Sequence, residues 1–224
     1  MIETNDKYER SKSIAILSKV SDEKHTLFEE IIRITQTLAS KKLYLDIGTG
    51  PGDVFLPVTH FFERSIGLEP AKAMFELISS KLVPNNVVLQ KKRWQEFYDE
   101  TKLRNFHLIT CAHSMYKLEN LETEIEKMLS LLDESGRLVL VGVSENNDID
   151  PLREIRRKFV VKDRSKEQIY HTIGDYFPDN CTEKIITCRY RFKDIKELEK
   201  DPWDEDNKIT NIFFHFLLNK WFYE

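Results

Sequence analysis

Glycine is scarce in this chain and unevenly placed. Of 7 glycines in 224 residues, three stand at alternate positions in Gly48-Thr49-Gly50-Pro51-Gly52. Glycine loses more backbone entropy on folding than other residues, so such a cluster marks a loop that needs positive φ or close approach to a ligand. The apolar run Leu43-Tyr44-Leu45-Asp46-Ile47 precedes it and reads as a buried strand; residues 54–62 follow as an amphipathic segment. Strand, glycine loop and helix in succession are the arrangement that brings backbone N–H groups up to a nucleotide-like ligand. No Gly-Lys-Ser/Thr follows, so the loop is not a Walker A motif, and its spacing G-x-G-x-G differs from the dinucleotide fingerprint G-x-G-x-x-G.

A second element strengthens the ligand reading. Ser65-Ile66-Gly67-Leu68-Glu69-Pro70 is another short buried strand, and it ends in an acid. Glu69 lies 17 positions beyond Gly52, close to where a doubly wound fold places a carboxylate to grip both ribose hydroxyls. The alternative makes Glu69 the cap of the helix expected over 71–82. Further on, the turn Pro84-Asn85-Asn86 leads into a third strand, 87–90. Residues 106–112 form a fourth, apolar enough to be central in a parallel sheet. Helical spacing of Ile125, Met128, Leu129 and Leu132, a turn at 133–136 and a strand at 137–143 complete the alternation. The predicted fold is α/β: a Rossmann-like, doubly wound, mostly parallel sheet with helices on both faces.

These motifs resemble the class I S-adenosylmethionine-dependent methyltransferases. "LDIGTGPGD" matches that family's first motif and "IGLEP" its second, and the resemblance covers about residues 43 to 145. Within the class the chain is similar to the histamine N-methyltransferase-like branch, which pairs I-G-G-G-A-G-E with V-E-P-S and M-L-Y-Y-V. Here those stretches read 47–53, 68–71 and Met115-Tyr116-Lys117-Leu118. The resemblance implies S-adenosylmethionine as cofactor, held by Asp46, Gly48, Thr49, Gly50, Gly52, Glu69, Pro70, Ala112 and His113. It also implies two regions: an N-terminal helical lid over 1–40 and a cofactor-binding methyltransferase domain over 41–224. The branch carries S-T-E-H in its lid, with the glutamate on the substrate amine. Ser21-Asp22-Glu23-Lys24-His25 is similar, which makes Glu23 a candidate cation-binding carboxylate or, alternatively, a first-turn acid favoured by the helix dipole.

The chain departs from the class after the third strand. Many members place Gly-Asp there to meet the adenine amino group, whereas this chain reads Gln90-Lys91-Lys92-Arg93-Trp94-Gln95. The adenine contact then falls to a backbone group, to Gln95, or to stacking on Trp94, with burial of Trp94 as the alternative. The class also ends in a seventh strand, and no closing strand is evident before Glu224.

In open α/β sheets ligands sit outside the carboxyl ends of the strands, so His113-Ser114-Met115-Tyr116 is expected to face the reacting methyl group. His113 and Tyr116, with Glu23, are the candidate catalytic residues; His113 capping the next helix is the alternative. No N-P-P-Y or D-P-P-Y sequence is present, which argues against amide or base-amine methylation.

Composition bounds the rest. Hydrophobic content of 41% supplies a full core, and the net charge of −4 gives no support to a general nucleic-acid binder. The first residues lack a signal sequence and no run of eighteen apolar residues occurs, so the expectation is a soluble, cytoplasmic protein. Cys111, Cys181 and Cys188 show no metal spacing and the six histidines are scattered, so no metal is expected. Residues 153–166 hold seven basic residues against two acids, read as a solvated helix face with an anionic partner as the alternative. A helix over 167–177, an edge strand over 183–192, an acidic connection over 194–206 and a last helix over 208–221 complete the expected order.

The function expected is methyl transfer to a small molecule, N-methylation of an amine first and O-methylation next. Alternatives are an RNA or protein methyltransferase using 153–166, and a non-catalytic cofactor- or partner-binding module. Oligomeric state is left open.

Overall fold

The computed structural model describes residues 21–115, 118, 120–142, 182 and 184–189. These fall into two compact units, one of 25–142 with 182 and 184–186, the other of 21–24 with 187–189. In chain order the elements are α1 (Glu23–Gln36), β1 (Leu43–Ile47), α2 (Phe55–Thr59), β2 (Arg64–Leu68), α3 (Lys72–Ser79), β3 (Val87–Gln90), α4 (Trp94–Glu100), β4 (Phe106–Ala112), α5 (Leu121–Leu131) and β5 (Leu132–Val141). The five strands form one sheet in the order β3-β2-β1-β4-β5, with every described pairing parallel.

Side-chain alternation along the strands divides the core into two layers. Leu45 and Ile47 of β1, Ile66 and Leu68 of β2, and Ile109 and Cys111 of β4 pack with Trp94 and Phe97 of α4 and Met128 and Leu131 of α5. The intervening Tyr44 and Leu108 point the other way, into a layer with Leu27 and Ile31 of α1, Phe55, Leu56 and Val58 of α2, and Ile78 of α3. This period-two division is what an α/β sheet covered on both faces requires. Each of these buried aliphatic side chains contributes roughly 1.5–3 kcal/mol from removal of apolar surface from water. The doubly wound α/β fold expected from the sequence is therefore the fold observed.

The differences lie at the element ends. The turn expected at 133–136 is absorbed into β5. Phe106 pairs with Leu132 but Leu108 with Arg137, so a wide bulge holds the extra residues. Within it Asp133 Oδ1 accepts from both the backbone N–H and the hydroxyl of Ser135, an Asx turn built inside a strand. Those two bonds hold the Asp133 carboxyl below its ordinary range. The edge strand expected over 183–192 is absent across 184–189. There the backbone of Arg189 turns to the start of α1 instead: its N–H donates to Asp22 Oδ1 (2.7 Å) and its C=O accepts from the Asp22 N–H (3.2 Å). Helix α1 begins where Ser21 Oγ caps the Glu23 N–H at 3.0 Å. The basic segment, the helix expected over 167–177, the acidic connection, the last helix and Tyr116 lie outside the described residues. Among the described residues no helix is long and apolar enough to cross a membrane, and no group of three His, Cys, Asp or Glu side chains is placed to hold a metal ion.

Candidate functional site

Strand order reverses between β1 and β4, and ligands of doubly wound sheets bind at that switch point beyond the carboxyl ends of the strands. The loop after β1 is the glycine cluster; the loop after β4 carries His113. Gly48, Gly50 and Gly52 all have positive φ, at 82°, 54° and 80°. Their surroundings differ. A Cβ on Gly48 would meet the Ser114 side chain at 2.7 Å, and one on Gly52 would meet Ile78 at 2.6 Å. A Cβ on Gly50 would meet nothing within 4 Å. The flanking glycines let the loop pack down, and the middle one faces open space.

The loop's hydrogen bonds run inward. The N–H groups of Gly48 and Thr49 both donate to the Leu68 carbonyl at the end of β2, and that of Gly52 donates to the Thr49 carbonyl. The Gly50 N–H donates to Glu69 Oε2 at 2.8 Å. Pro51 has no N–H to offer. The expectation that this loop turns its N–H groups to the ligand is thus overturned: four of them are consumed in fixing the loop. With α2 only five residues long, no anion cradle is built here.

What the site presents instead is negative. Glu69 is 5% exposed, and its other oxygen accepts the Ala71 N–H at 2.8 Å, so it ties the glycine loop to the start of α3. Pro70 follows it at the surface. Asp46, 7% exposed at the end of β1, accepts from Thr110 Oγ1 at 2.5 Å, and Thr110 in turn contacts the Tyr44 hydroxyl at 2.9 Å. Two buried carboxylates therefore flank a glycine loop whose centre is open. Thr49, between them, is buried, and its hydroxyl has no hydrogen-bond partner among the described residues. Asp53 holds Lys81 at 2.6 Å, which pins the first turn after the loop to the end of α3.

After β4 the chain reverses at His113, whose φ of 52° is left-handed and whose N–H donates to the Val141 carbonyl at 2.9 Å. That reversal separates residues the sequence places together. His113 and the half-buried Ala112 stay at the carboxyl end of the sheet. Ser114 and Met115 turn into the fold: Ser114 Oγ donates to the Ile47 carbonyl at 2.7 Å, and Met115 joins the core. They do not face a reacting group as expected. Burial pushes the Cys111 thiol up to about 12, offset in part by its contact with Ser114 and reinforced by the Asp46 charge.

Trp94 and Gln95 open α4 beyond β3. Trp94 is 3% exposed, packs on Phe97 and Tyr98, and donates its Nε1–H to Glu124 Oε2 at 2.5 Å. Gln95 is half-buried. Glu23 heads α1 in the smaller unit, where burial first, and then the carboxylates of Glu23 and Asp22, push the Cys188 thiol up. The structure thus gathers Asp46, Gly48, Thr49, Gly50, Gly52 and Glu69 around one loop. It adds Thr110 and Tyr44, which the sequence reading did not single out as site residues. Their only signal is a polar residue recurring inside two apolar strands.

A family model described as "Methyltransferase domain" matches residues 20–200. The chain is 27% identical over 104 residues to the uncharacterized methyltransferase YcgJ of Bacillus subtilis (strain 168); that match covers 43% of this chain and 39% of the relative. The chain thus spans about two fifths of the length of that curated relative. Among solved structures, that of the Bacillus subtilis YcgJ protein superposes with a TM-score of 0.46 at 21% identity, covering 59% of this chain and 58% of that one. A putative S-adenosyl-L-methionine-dependent methyltransferase from Methanococcus maripaludis gives 0.46 at 17% identity, covering 65% and 67%. On the breadth of the family-model match, the chain belongs to the methyltransferase-domain family.

Proposed function

We propose that this member of the methyltransferase-domain family moves a methyl group from S-adenosylmethionine to a small-molecule acceptor, an amine before a phenol. The observation that carries the cofactor site is its charge. A dinucleotide brings two phosphates, and they would meet a loop with four N–H groups already used and two buried carboxylates beside them. S-adenosylmethionine brings a sulfonium and an ammonium instead, and suits that field. The open space at Gly50, the orphan hydroxyl of Thr49 and the paired acids fit such a group.

In this reading Asp46 accepts from the ammonium end, Glu69 takes the ribose hydroxyls on its remaining lone pairs, and Gly48, Gly50 and Gly52 keep the loop low enough for the ligand to pass. Thr49, Pro70 and Ala112 line the site, and Gln95 with the Trp94 edge borders the adenine. When bound, S-adenosylmethionine supplies an electrophilic methyl carbon. The chain's own contribution is placement and exclusion of water. An amine acceptor must shed a proton, and an imidazole nitrogen of His113 or a carboxylate oxygen of Glu23 accepts it, directly or through water. Product formation from S-adenosylmethionine across a panel of amines and phenols tests the reading. Methylated amine formed by the wild type and lost with His113→Ala supports it, and turnover unaffected by that substitution removes His113 from the chemistry. No product from any acceptor, with cofactor bound, leaves a non-catalytic binding module.

A further inference from the structure

We propose that Tyr44 and Thr110 are positioning residues, two hydroxyls in series beneath the glycine loop that hold Asp46 as an oriented anion for the ammonium end of the cofactor. The inference rests on the cofactor site proposed above and adds the parts that make its acid work. β1 and β4 pair in parallel with Tyr44 opposite Leu108 and Asp46 opposite Thr110. Tyr44 and Asp46, two residues apart, share the face on which the Thr110 side chain lies. Thr110 Oγ1 donates to Asp46 Oδ1 at 2.5 Å. A hydroxyl has one proton, so the 2.9 Å contact with Tyr44 is a donation from the phenol to Thr110. Both donations point at Asp46.

All three residues are deep: Tyr44 is 0%, Thr110 1% and Asp46 7% exposed. The Tyr44 ring is core, packed on Phe55 and Phe62 with centroids 5.5 and 5.1 Å away. Packing alone would be served by phenylalanine there and by valine at 110. A buried carboxylate without donors takes up a proton rather than remain charged. Donors in series favour the ionised form and strengthen one another in a low dielectric. Among the described residues, Tyr44 on the same strand and Cys111 on β4 share electrostatic contact with Asp46, both pushed up first by burial and further by the Asp46 charge. Neither ionises near neutral pH, so neither competes for the role of anion.

The test is calorimetric titration with S-adenosylhomocysteine from about pH 6.5 to about pH 8.5, on the wild type, Thr110→Val, Thr110→Ser and Tyr44→Phe. Wild-type affinity is expected to stay flat. Thr110→Val is expected to lose about tenfold at the acid end, and to recover as the pH rises. Thr110→Ser restores the flat profile, and Tyr44→Phe shows a smaller loss of the same shape. 5′-Methylthioadenosine, which lacks the amino-acid end, is expected to bind wild type and Thr110→Val alike. Should Thr110→Val not fold, Tyr44→Phe carries the same test with its core ring intact. Equal loss of both ligands at every pH, or no loss of either, overturns the relay and leaves the cofactor site standing. A folded wild type that binds neither ligand overturns both.

Discussion

Two buried carboxylates of this fold are built alike and placed differently. Glu124 on α5 is 6% exposed and held by the Trp94 indole N–H and the Lys127 ammonium, at 2.5 and 2.9 Å. Asp46 on β1 is 7% exposed and held by the Thr110 hydroxyl at 2.5 Å. Burial and short hydrogen bonds do not distinguish them, and either would pass as a candidate site on those terms. Their partners and places do. Glu124 joins two helices on one face of the sheet and meets a cation, which neutralises it. Asp46 stands at the carboxyl end of a central strand, at the switch point, where the Thr110 hydroxyl donates to it. An acid paired with a cation ties structure together; in the proposed reading the acid at the switch point beside the open loop serves the cofactor.

Substitutions can break this contrast in order of size. Gly50→Arg fills the open side of the loop, and cofactor binding is expected to vanish. The fold should lose only about 1–2 kcal/mol from a non-glycine residue in the left-handed region, read as a small drop in Tm. Glu69→Ala removes the acceptor of the Gly50 and Ala71 N–H groups. It should weaken cofactor affinity about a hundredfold and cost about 1.5–3 kcal/mol of stability. Glu124→Ala sharpens the comparison from the other side. It leaves the Trp94 N–H and the Lys127 charge unpaired, a loss of about 1–3 kcal/mol, or several degrees in Tm, while cofactor affinity stays within about twofold. If Glu124→Ala weakened binding as much as Glu69→Ala, burial rather than position would be the controlling variable.

A separate effect is alkaline. The Cys111 thiol is held protonated in the fold, raised from 9.0 to about 12. A group raised on folding contributes stability that is complete below its unfolded value and lost as the pH climbs through its folded one. Stability should therefore fall between about pH 9 and about pH 12, and native Cys111 should resist alkylation below that window. Cys111→Ala should flatten part of the fall in denaturant midpoints measured across it.

Much of this was legible in the sequence, because local signals specify it. The glycine cluster, the apolar runs and the terminal acid at Glu69 fix strand, loop and strand with no knowledge of distant partners. What escaped depends on register between residues far apart. Thr110 meets Asp46 across 64 positions of sequence, and no periodicity within either strand encodes that pairing. The inward turn of the loop N–H groups escaped for the same reason, since the Leu68 carbonyl that takes two of them belongs to another strand. At 133–136 the turn chemistry was read correctly, but parallel pairing on both sides absorbed it into β5. At 184–189 an alternating pattern carried no strand, because the Arg189 backbone bonds to Asp22 instead.

The most direct measurement is calorimetric titration of the folded protein with S-adenosylmethionine and, in parallel, with NAD. A site of two buried acids and an inward-bonded loop predicts binding of the sulfonium nucleoside, its loss in Glu69→Ala, and no binding of the dinucleotide. Binding of NAD, or of neither ligand by a protein shown to be folded, would contradict the account.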